Sequence, residues 1–263
     1  MDLCGPMRVE SIHEKKYILV IVDDYTRLGW VRFLKDETPE MIKKFIILTQ
    51  HALNATVRYV RTDNGTEFVN KTLTEFYESV GITHNTSVPR TPQQNGVCKR
   101  RNQTLMEVAH TMLIFAKAPI FLWAEAVALA CYTLNRSLVH TLHGKTYYEL
   151  IKGKKPEMKY FWVFGSLCYP INDYDDLGKL KAKADIGIFV GYASTKKAYR
   201  IYNKRNHKIQ ETVHVTFNEL TKAMTSIQLS TGLRLEINNL QSGEIGSGLV
   251  NTPTTPSVPP TEK

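Results

Sequence analysis

Two aspartates and one lysine are the residues of this chain whose types and spacing bear most directly on chemistry. Asp2 lies in MDLCGPM, Asp63 lies in RTDNGTEF, and 35 residues separate Asp63 from Lys99. Carboxylate oxygens are the ligands that Mg²⁺ and Mn²⁺ prefer, and two such ions about 4 Å apart can stabilise the attacking and leaving oxygens of a phosphodiester. Taken singly, each aspartate has a simpler interpretation as a turn residue, because Asp2 precedes a Gly-Pro pair and Asp63 precedes Asn-Gly.

The elements that must position these residues can be predicted from the pattern of apolar residues. Short β-branched runs and stretches with helical spacing alternate along the first half of the chain, which predicts an α/β domain with a mixed sheet. A helix start is predicted at Thr38-Pro39, and Gly81 is predicted to end another helix. The predicted strands are 16–24, 29–34, 56–61 and 82–88, and the predicted helices are 39–52, 70–80, 96–115 and 119–138.

The second half of the chain has a different texture. From Tyr160 onward, short β-rich runs alternate with polar turns, one of them at Lys204-Arg205-Asn206, and this regularity predicts a small barrel. Residues 226–263 are rich in Ser, Thr, Gly and Pro, which predicts a disordered linker or tail.

The charge balance favours a polyanionic partner. The chain has 34 Lys and Arg against 25 Asp and Glu, with a pI near 9.3, and most of the excess lies between residues 152 and 208. A solvated basic surface is the alternative to nucleic-acid binding. The tyrosines at 192, 199 and 202 are predicted either to stack on exposed bases or to form the barrel core. The basic residues predicted to follow a phosphate backbone are Lys179, Lys181, Lys183, Lys196, Lys197, Lys204 and Arg205.

Other compositional features limit the class of protein. Four cysteines, widely spaced and without a CxxC pair, are typical of reduced thiols in an intracellular protein. His140 and His143 form an HxxH pair, but no cysteine pair stands near enough to complete a zinc site, so zinc is the minor interpretation. No stretch of 18 or more apolar residues occurs, and we therefore expect no membrane partner.

Several motifs taken together resemble a known family. TPQQNG occurs at residues 91–96, GITHNTSVP precedes it, and WAEAVALACYTLNRS follows it; VFGSLCY and KADIGIFVGYASTKKAYRIYN occur in the β-rich half. Over about residues 1–218 this layout closely resembles the integrase of copia-type LTR retrotransposons. The resemblance implies an RNase H-like integrase core with its following helix at 1–140 and an SH3-like barrel at 161–218. Between and after these domains we predict a basic connector at 141–160 and a disordered tail at 219–263.

The resemblance also implies an activity and roles for individual residues. The activity is DNA integration by metal-dependent 3′-end processing and strand transfer, with Mg²⁺ or Mn²⁺ as cofactor and element ends and a target duplex as partners. Asp2 is expected to be the bridging metal ligand and Asp63 a ligand for one ion. A homo-oligomer is also implied, and an intracellular protein that has to reach the nucleus if it is functional. In the first half of the chain, four residues are expected near nucleic acid. Gln94 and Asn95 lie in a loop at the rim of the site, and Arg100 and Arg101 follow them.

The chain departs from the family pattern at position 99, where the family has the third metal-binding carboxylate. A cation there removes one ligand and repels the second ion, so we hypothesise that the protein folds and binds DNA but lacks strand transfer. Glu107 is a poor replacement, because eight helical residues place it about 12 Å further along the axis. The alternatives are a non-catalytic nucleic-acid-binding relic and a protein retained for contact with other proteins.

The sequence upstream of Asp2 is a second departure. Only Met1 precedes the aspartate that belongs on a central strand, and the family's His/Cys zinc module is absent from the sequence. We therefore expect a fragment of a longer polyprotein or a gene model begun at an internal Met. On that expectation, adding upstream codons raises the melting temperature, because backbone ladder bonds of the sheet are restored.

Overall fold

The computed structural model describes residues 1–36, 39–88, 95–171 and 184–218. The predictions that concern Thr38, Gln94, Lys179, Lys181, Lys183 and the tail lie outside these residues. Within the described part, no helix is both long and apolar enough to cross a membrane.

Two small sheets make up the first half of the chain. The strands β1 (Asp2–Cys4), β2 (Tyr17–Val22) and β3 (Gly29–Leu34) form an antiparallel sheet in the order β1-β2-β3, with Asp2 opposite Val20. The strands β4 (Tyr59–Thr62) and β5 (Thr83–Thr86) pair in parallel. The backbone nitrogen of Met1 donates to the Arg61 carbonyl at 2.6 Å, which brings the start of β1 beside β4.

Five α-helices lie in the described part of the chain, and local sequence signals mark several of their ends. Asn70 caps α2 by accepting from the Leu73 nitrogen at 2.9 Å, and Gly81 ends it in the left-handed conformation with φ 70°. The predicted helix at 119–138 begins as a 3₁₀ turn at Ile120–Leu122. The helices are α1 (Pro39–Leu53), α2 (Lys71–Val80), α3 (Gly96–Phe115), α4 (Trp123–Ser137) and α5 (Tyr147–Lys152).

The second half contains an antiparallel five-stranded sheet, as the short β-rich runs predict. The strand order is β10-β6-β7-β8-β9, and a bulge interrupts the pairing of β7 with β8 between Phe189 and Gly191. The predicted turn at Lys204-Arg205-Asn206 joins β8 to β9. The strands are β6 (Leu167–Pro170), β7 (Gly187–Tyr192), β8 (Tyr199–Asn203), β9 (Lys208–Thr212) and β10 (Val215–Phe217).

Two hydrophobic cores hold these elements together. One lies between the β2 face carrying Leu19 and Ile21 and the helices α1 and α2. The other is shared by β2, α3, α4 and the five-stranded sheet, so that α4 contacts both halves of the chain. Because this second core is continuous, Met1–Asn218 forms one compact unit. The boundaries predicted within it at 140 and 160 stay predictions, and α5 lies inside the predicted connector.

The three tyrosines considered above for base stacking, Tyr192, Tyr199 and Tyr202, are part of this packing. Tyr192 stacks on Tyr132 of α4 with ring centroids 4.4 Å apart, and its hydroxyl donates to the Tyr160 carbonyl at 2.9 Å. Tyr202 is only 5% exposed and packs against Phe121. The Tyr202 side chain is therefore a core residue of the barrel and not a stacking platform for bases.

Candidate active site and nucleic-acid interface

The helix α3 presents one face to both candidate carboxylates. Lys99 and Asn102 are three residues apart, and side chains at that spacing share a face of an α-helix. The Lys99 ammonium lies 3.7 Å from Asp63 Oδ2, and Asn102 Nδ2 donates to Asp2 Oδ2 at 2.9 Å. The structure thus brings together the three positions that the sequence selects, and Asn102 joins them.

Asp2 lies on β1 and is 7% exposed. A buried carboxylate is costly unless hydrogen bonds satisfy it, and the amide of Asn102 supplies such a bond. The neighbouring Cys4 thiol has a raised pKa. Burial is the main cause and the negative charge of Asp2 adds to it, while the hydrogen bond to Asn102 opposes the shift. The Asn102 Oδ1 atom is buried and has no hydrogen-bond partner among the described residues.

Asp63 directly follows β4 and is placed by the residues around the end of that strand. The Thr62 hydroxyl donates to the Asp63 carbonyl at 2.8 Å and lies 2.8 Å from His84 Nε2 on β5. Burial, followed by the charge of the Met1 amino group, lowers the pKa of His84. The Asp63 Oδ1 atom is buried and finds no hydrogen-bond donor in the described part of the chain.

This donor set does not fit a pair of divalent ions. The site has two carboxylates, those of Asp2 and Asp63, and Lys99 places an ammonium close to Asp63. Among the described residues, no group of three or more His, Cys, Asp or Glu side chains could hold a metal ion. The bare Asp63 Oδ1 is one oxygen that a cation could take, but a two-ion site needs ligands on both ions.

The residues predicted to contact nucleic acid near α3 have different surroundings. Asn95 is 3% exposed and donates through Nδ2 to the Met1 carbonyl at 3.0 Å, so its side chain is occupied within the fold. Arg100 is exposed. Arg101 donates through Nη2 to the Arg27 carbonyl at 3.0 Å and lies over the Tyr147 ring at 5.1 Å.

The basic residues of the β-rich half lie in exposed turns, partly neutralised by acidic neighbours. Lys196 is 3.3 Å from Glu211, and Arg205 is 3.2 Å from Asp185. Lys197 and Lys204 are exposed and have no ion pair with any described residue. None of these contacts identifies a nucleic-acid site, so the predicted roles of these residues stay predictions.

Sequence reasoning missed Asn102 as a site residue. The available signal was its position three residues after Lys99, on the same face of a predicted helix. That signal is weak on its own, because only the tertiary structure places Asp2 opposite this face.

Comparison with known proteins agrees with this architecture. Residues 1–92 match the family described as Integrase core domain, and residues 166–230 match the Retroviral polymerase SH3-like domain. The chain therefore contains an integrase core domain followed by a retroviral-type SH3-like domain, and it is similar to copia-type retrotransposon integrases. The first half of the chain is thus a mixed α/β fold of the integrase-core type, and the strand-rich sheet that follows is SH3-like.

The chain is also similar to longer proteins of plant transposons. It is 34% identical over 220 residues to the retrovirus-related Pol polyprotein from transposon TNT 1-94 of Nicotiana tabacum, which covers 83% of this chain and 17% of that protein. It is 29% identical over 255 residues to the retrovirus-related Pol polyprotein from transposon RE2 of Arabidopsis thaliana. This match covers 95% of this chain and 17% of that protein. The chain thus spans about 17% of the length of these relatives.

The solved structures that resemble the chain have lower sequence identity to it than the transposon proteins do. The HTLV-2 integrase catalytic core domain is 24% identical with a TM-score of 0.42, covering 57% of this chain and 95% of that one. The simian T-cell lymphotropic virus intasome is 18% identical with a TM-score of 0.46, covering 82% and 77%.

Proposed function

We propose that this integrase binds DNA but is impaired in 3′-end processing and strand transfer. The observation that carries the proposal is the Lys99 ammonium 3.7 Å from Asp63, at the position where the family has its third carboxylate. Integrases of this family generally depend on divalent metal ions. In this chain Asp2 and Asp63 would be the remaining ligands for Mg²⁺ or Mn²⁺, and metal binding would be weakened accordingly.

The magnitudes indicate which effect of Lys99 matters. Two unit charges about 4 Å apart interact by about 4 kcal/mol at an effective dielectric of about 20. The side chains of Lys99 and Asp63 are 46% and 31% exposed, so solvent reduces the net value of the pair to about 1 kcal/mol or less. Such a pair is too weak to exclude a well-ligated ion. The missing carboxylate ligand is therefore the larger defect, and the positive charge adds to it.

A strand-transfer assay on pre-cleaved DNA ends, with Mg²⁺ and with Mn²⁺, tests this proposal. We compare the protein with Lys99→Glu, which restores a carboxylate, and with Lys99→Gln, which removes the charge and adds no anionic ligand. We expect no product from the protein itself or from Lys99→Gln, and product from Lys99→Glu. Calorimetric titration with each ion gives a second readout, in which tight binding is expected for Lys99→Glu alone. Robust strand transfer by the unmodified protein would refute the proposal.

DNA binding is supported by the charge of the chain, +9 at pH 7, and by the exposed lysines of the SH3-like half. Contacts to phosphates predict weak sequence preference and strong salt dependence. A gel shift at increasing salt tests this property and separates the proposal from the alternative of a protein kept for protein–protein contact. Self-association and a nuclear location are further parts of the proposal, tested by sedimentation and by imaging of the tagged protein.

A further inference from the structure

A cleft of about 690 Å³ lies where α1, α4 and α5 approach β3, the edge strand of its sheet. The end of β7 and Arg200 of β8 close one side of it. A volume of this size is within the range of sites that enclose small ligands. None of the residues considered above for catalysis lines this cleft.

Arg136 of α4 projects into the cleft between two aromatic rings. Its guanidinium lies 3.5 Å from the centroid of Tyr132 and 4.4 Å from that of Tyr148. Its single side-chain hydrogen bond within the described part goes from Nη1 to the Tyr132 carbonyl at 3.1 Å, although a guanidinium carries five N–H donors. Burial lowers the pKa of Arg136, and the ionisable groups that oppose this shift are tyrosines and a cysteine.

Arg32 of β3 lines the same cleft and, like Arg136, lies near an aromatic ring with most of its donors unused. It lies 5.2 Å from the Phe45 ring and donates through Nη1 to the Val31 carbonyl at 3.0 Å. Burial lowers its pKa as well, and no described carboxylate forms an ion pair with it. Both guanidinium groups are half-buried, and none of their nitrogen atoms is a fully buried atom without a partner, so their unused N–H donors can reach an anion that enters the cleft.

The buried thiol of Cys131 locates these charges relative to one another. Burial raises the pKa of Cys131 to about 11, and the positive charges of Arg101, Arg136 and Arg32 oppose the shift. The three positive charges are therefore within electrostatic range of Cys131, which lines the cleft. Arg101, the predicted phosphate contact, is one of these three charges.

The acidic residues near the cleft do not neutralise it. Glu125 is the one carboxylate among its described lining residues, and Arg200 holds it at 2.6 Å. Lys152 adds a further positive charge at the rim of the cleft. The cleft therefore combines unpaired cations with aromatic rings, which is the chemistry of a site for phosphates with attached bases.

We propose that this cleft binds a short single-stranded segment of nucleic acid, with Arg136 and Arg32 contacting phosphates and Tyr148 contacting a base. The proposal rests on the DNA-binding part of the proposed function and adds a place for it away from Asp2 and Asp63. Unpaired bases of a single strand can stack on an aromatic ring, whereas the paired bases of a duplex are already stacked on one another, so the combination of cations and rings favours a single strand. An acidic peptide would offer similar charge but no base to stack.

The test uses fluorescence anisotropy with labelled pentathymidylate and labelled pentaglutamate on the full chain. We expect pentathymidylate to bind, and Arg136→Gln and Arg32→Gln each to weaken binding about tenfold. Each variant should also reduce the slope of log affinity against log salt by about 0.7, the value for one phosphate contact on a single strand. Arg8→Gln, which removes an exposed charge outside the cleft, is the matched control and should bind like the unmodified protein.

Two further measurements keep the test decisive. Unlabelled pyrophosphate should compete with pentathymidylate on the unmodified protein, so a variant that fails to fold does not remove the test. Lys99→Glu should bind pentathymidylate unchanged, which separates this site from the outcome of the strand-transfer assay. Wild-type affinity and salt slope in both arginine variants would overturn the proposal, and so would tighter binding of pentaglutamate than of pentathymidylate.

Discussion

The ion pair between Arg200 and Glu125 joins the SH3-like sheet to α4, and its loss should be readily measurable. Arg200 Nη1 lies 2.6 Å from Glu125 Oε2, and the two side chains are 23% and 4% exposed. Glu211 lies 3.7 Å from Arg200 Nε, too far for a hydrogen bond, and His13 lies 3.9 Å from the other oxygen of Glu125. Arg200 thus supplies the close positive charge for a carboxylate that is almost completely buried.

Arg200→Met should destabilise the protein strongly, because it leaves Glu125 buried without its partner. Removing one member of a buried pair costs about 3–5 kcal/mol, and the partial exposure of Arg200 places the expected loss near the lower end, at about 3 kcal/mol. For a unit of this size, about 2–4 °C of melting temperature is lost per kcal/mol, which gives about 6–12 °C. Arg8→Met, an equivalent change at an exposed position, should leave the melting temperature nearly unchanged.

The loss should also depend on pH in a defined direction. Burial raises the pKa of Glu125 above its ordinary value of 4.5, and Arg200 opposes this shift. With a raised folded pKa, the contribution of Glu125 to stability is complete below the ordinary value and is lost as pH rises through the folded pKa. Arg200→Met removes the opposing charge, so the folded pKa rises further and the penalty of the variant grows toward neutral pH.

Urea unfolding at neutral pH and just above pH 4.5 measures this difference. We expect the stability deficit of Arg200→Met to shrink on acidification, and the deficit should depend little on pH when the same change is made in a Glu125→Gln background. A deficit below about 1 kcal/mol at neutral pH, the value typical of an exposed pair, would refute the reasoning.

Three further changes test one hydrogen bond of the candidate active site, the contact between α4 and β3, and one helix end. Asn102→Leu removes the amide that donates to Asp2 and should lower the free energy of unfolding in urea by about 1–3 kcal/mol. Asn135→Ala removes both the acceptor of the Gly29 N–H at 2.9 Å and the donor to its carbonyl at 2.7 Å, and a melting temperature reduced by several degrees in calorimetry is expected. Gly81→Ala places a Cβ on a residue with φ 70° and should cost about 1–2 kcal/mol by chemical denaturation.

Elements with strong local signals could be predicted from the sequence. The strand at Gly29–Leu34 and the helix at Gly96–Phe115 have the predicted bounds, and the helix at Lys71–Val80 has its predicted cap at Gly81. Each is marked by alternation, helical spacing or a turn residue that acts within a few positions. The family resemblance added the relation between Asp2, Asp63 and Lys99, which no local signal contains.

Features that depend on contacts between distant residues were not predicted. The helix at Tyr147–Lys152 is short, and its sequence was interpreted as part of a basic connector. The packing of the SH3-like sheet on α4, through Tyr192 and Tyr132, joins residues 60 positions apart. The cationic cleft is of the same kind, because Arg32 and Arg136 are distant in sequence and meet only when β3 lies beside α4.

The geometry of α3 explains why a defect in chemistry need not abolish binding. Each residue turns about 100° around an α-helix, so Lys99 and Asn102 face the carboxylates, whereas Arg101 projects about 200° from Lys99 toward Arg27 and Tyr147. A change at position 99 therefore alters the face that lies toward Asp2 and Asp63 and leaves the opposite face intact. Because the Lys99–Asp63 pair is weak, restoring one carboxylate at this position should recover metal binding without refolding the helix. The two proposals consequently predict independent outcomes, one at Lys99 and one at Arg136.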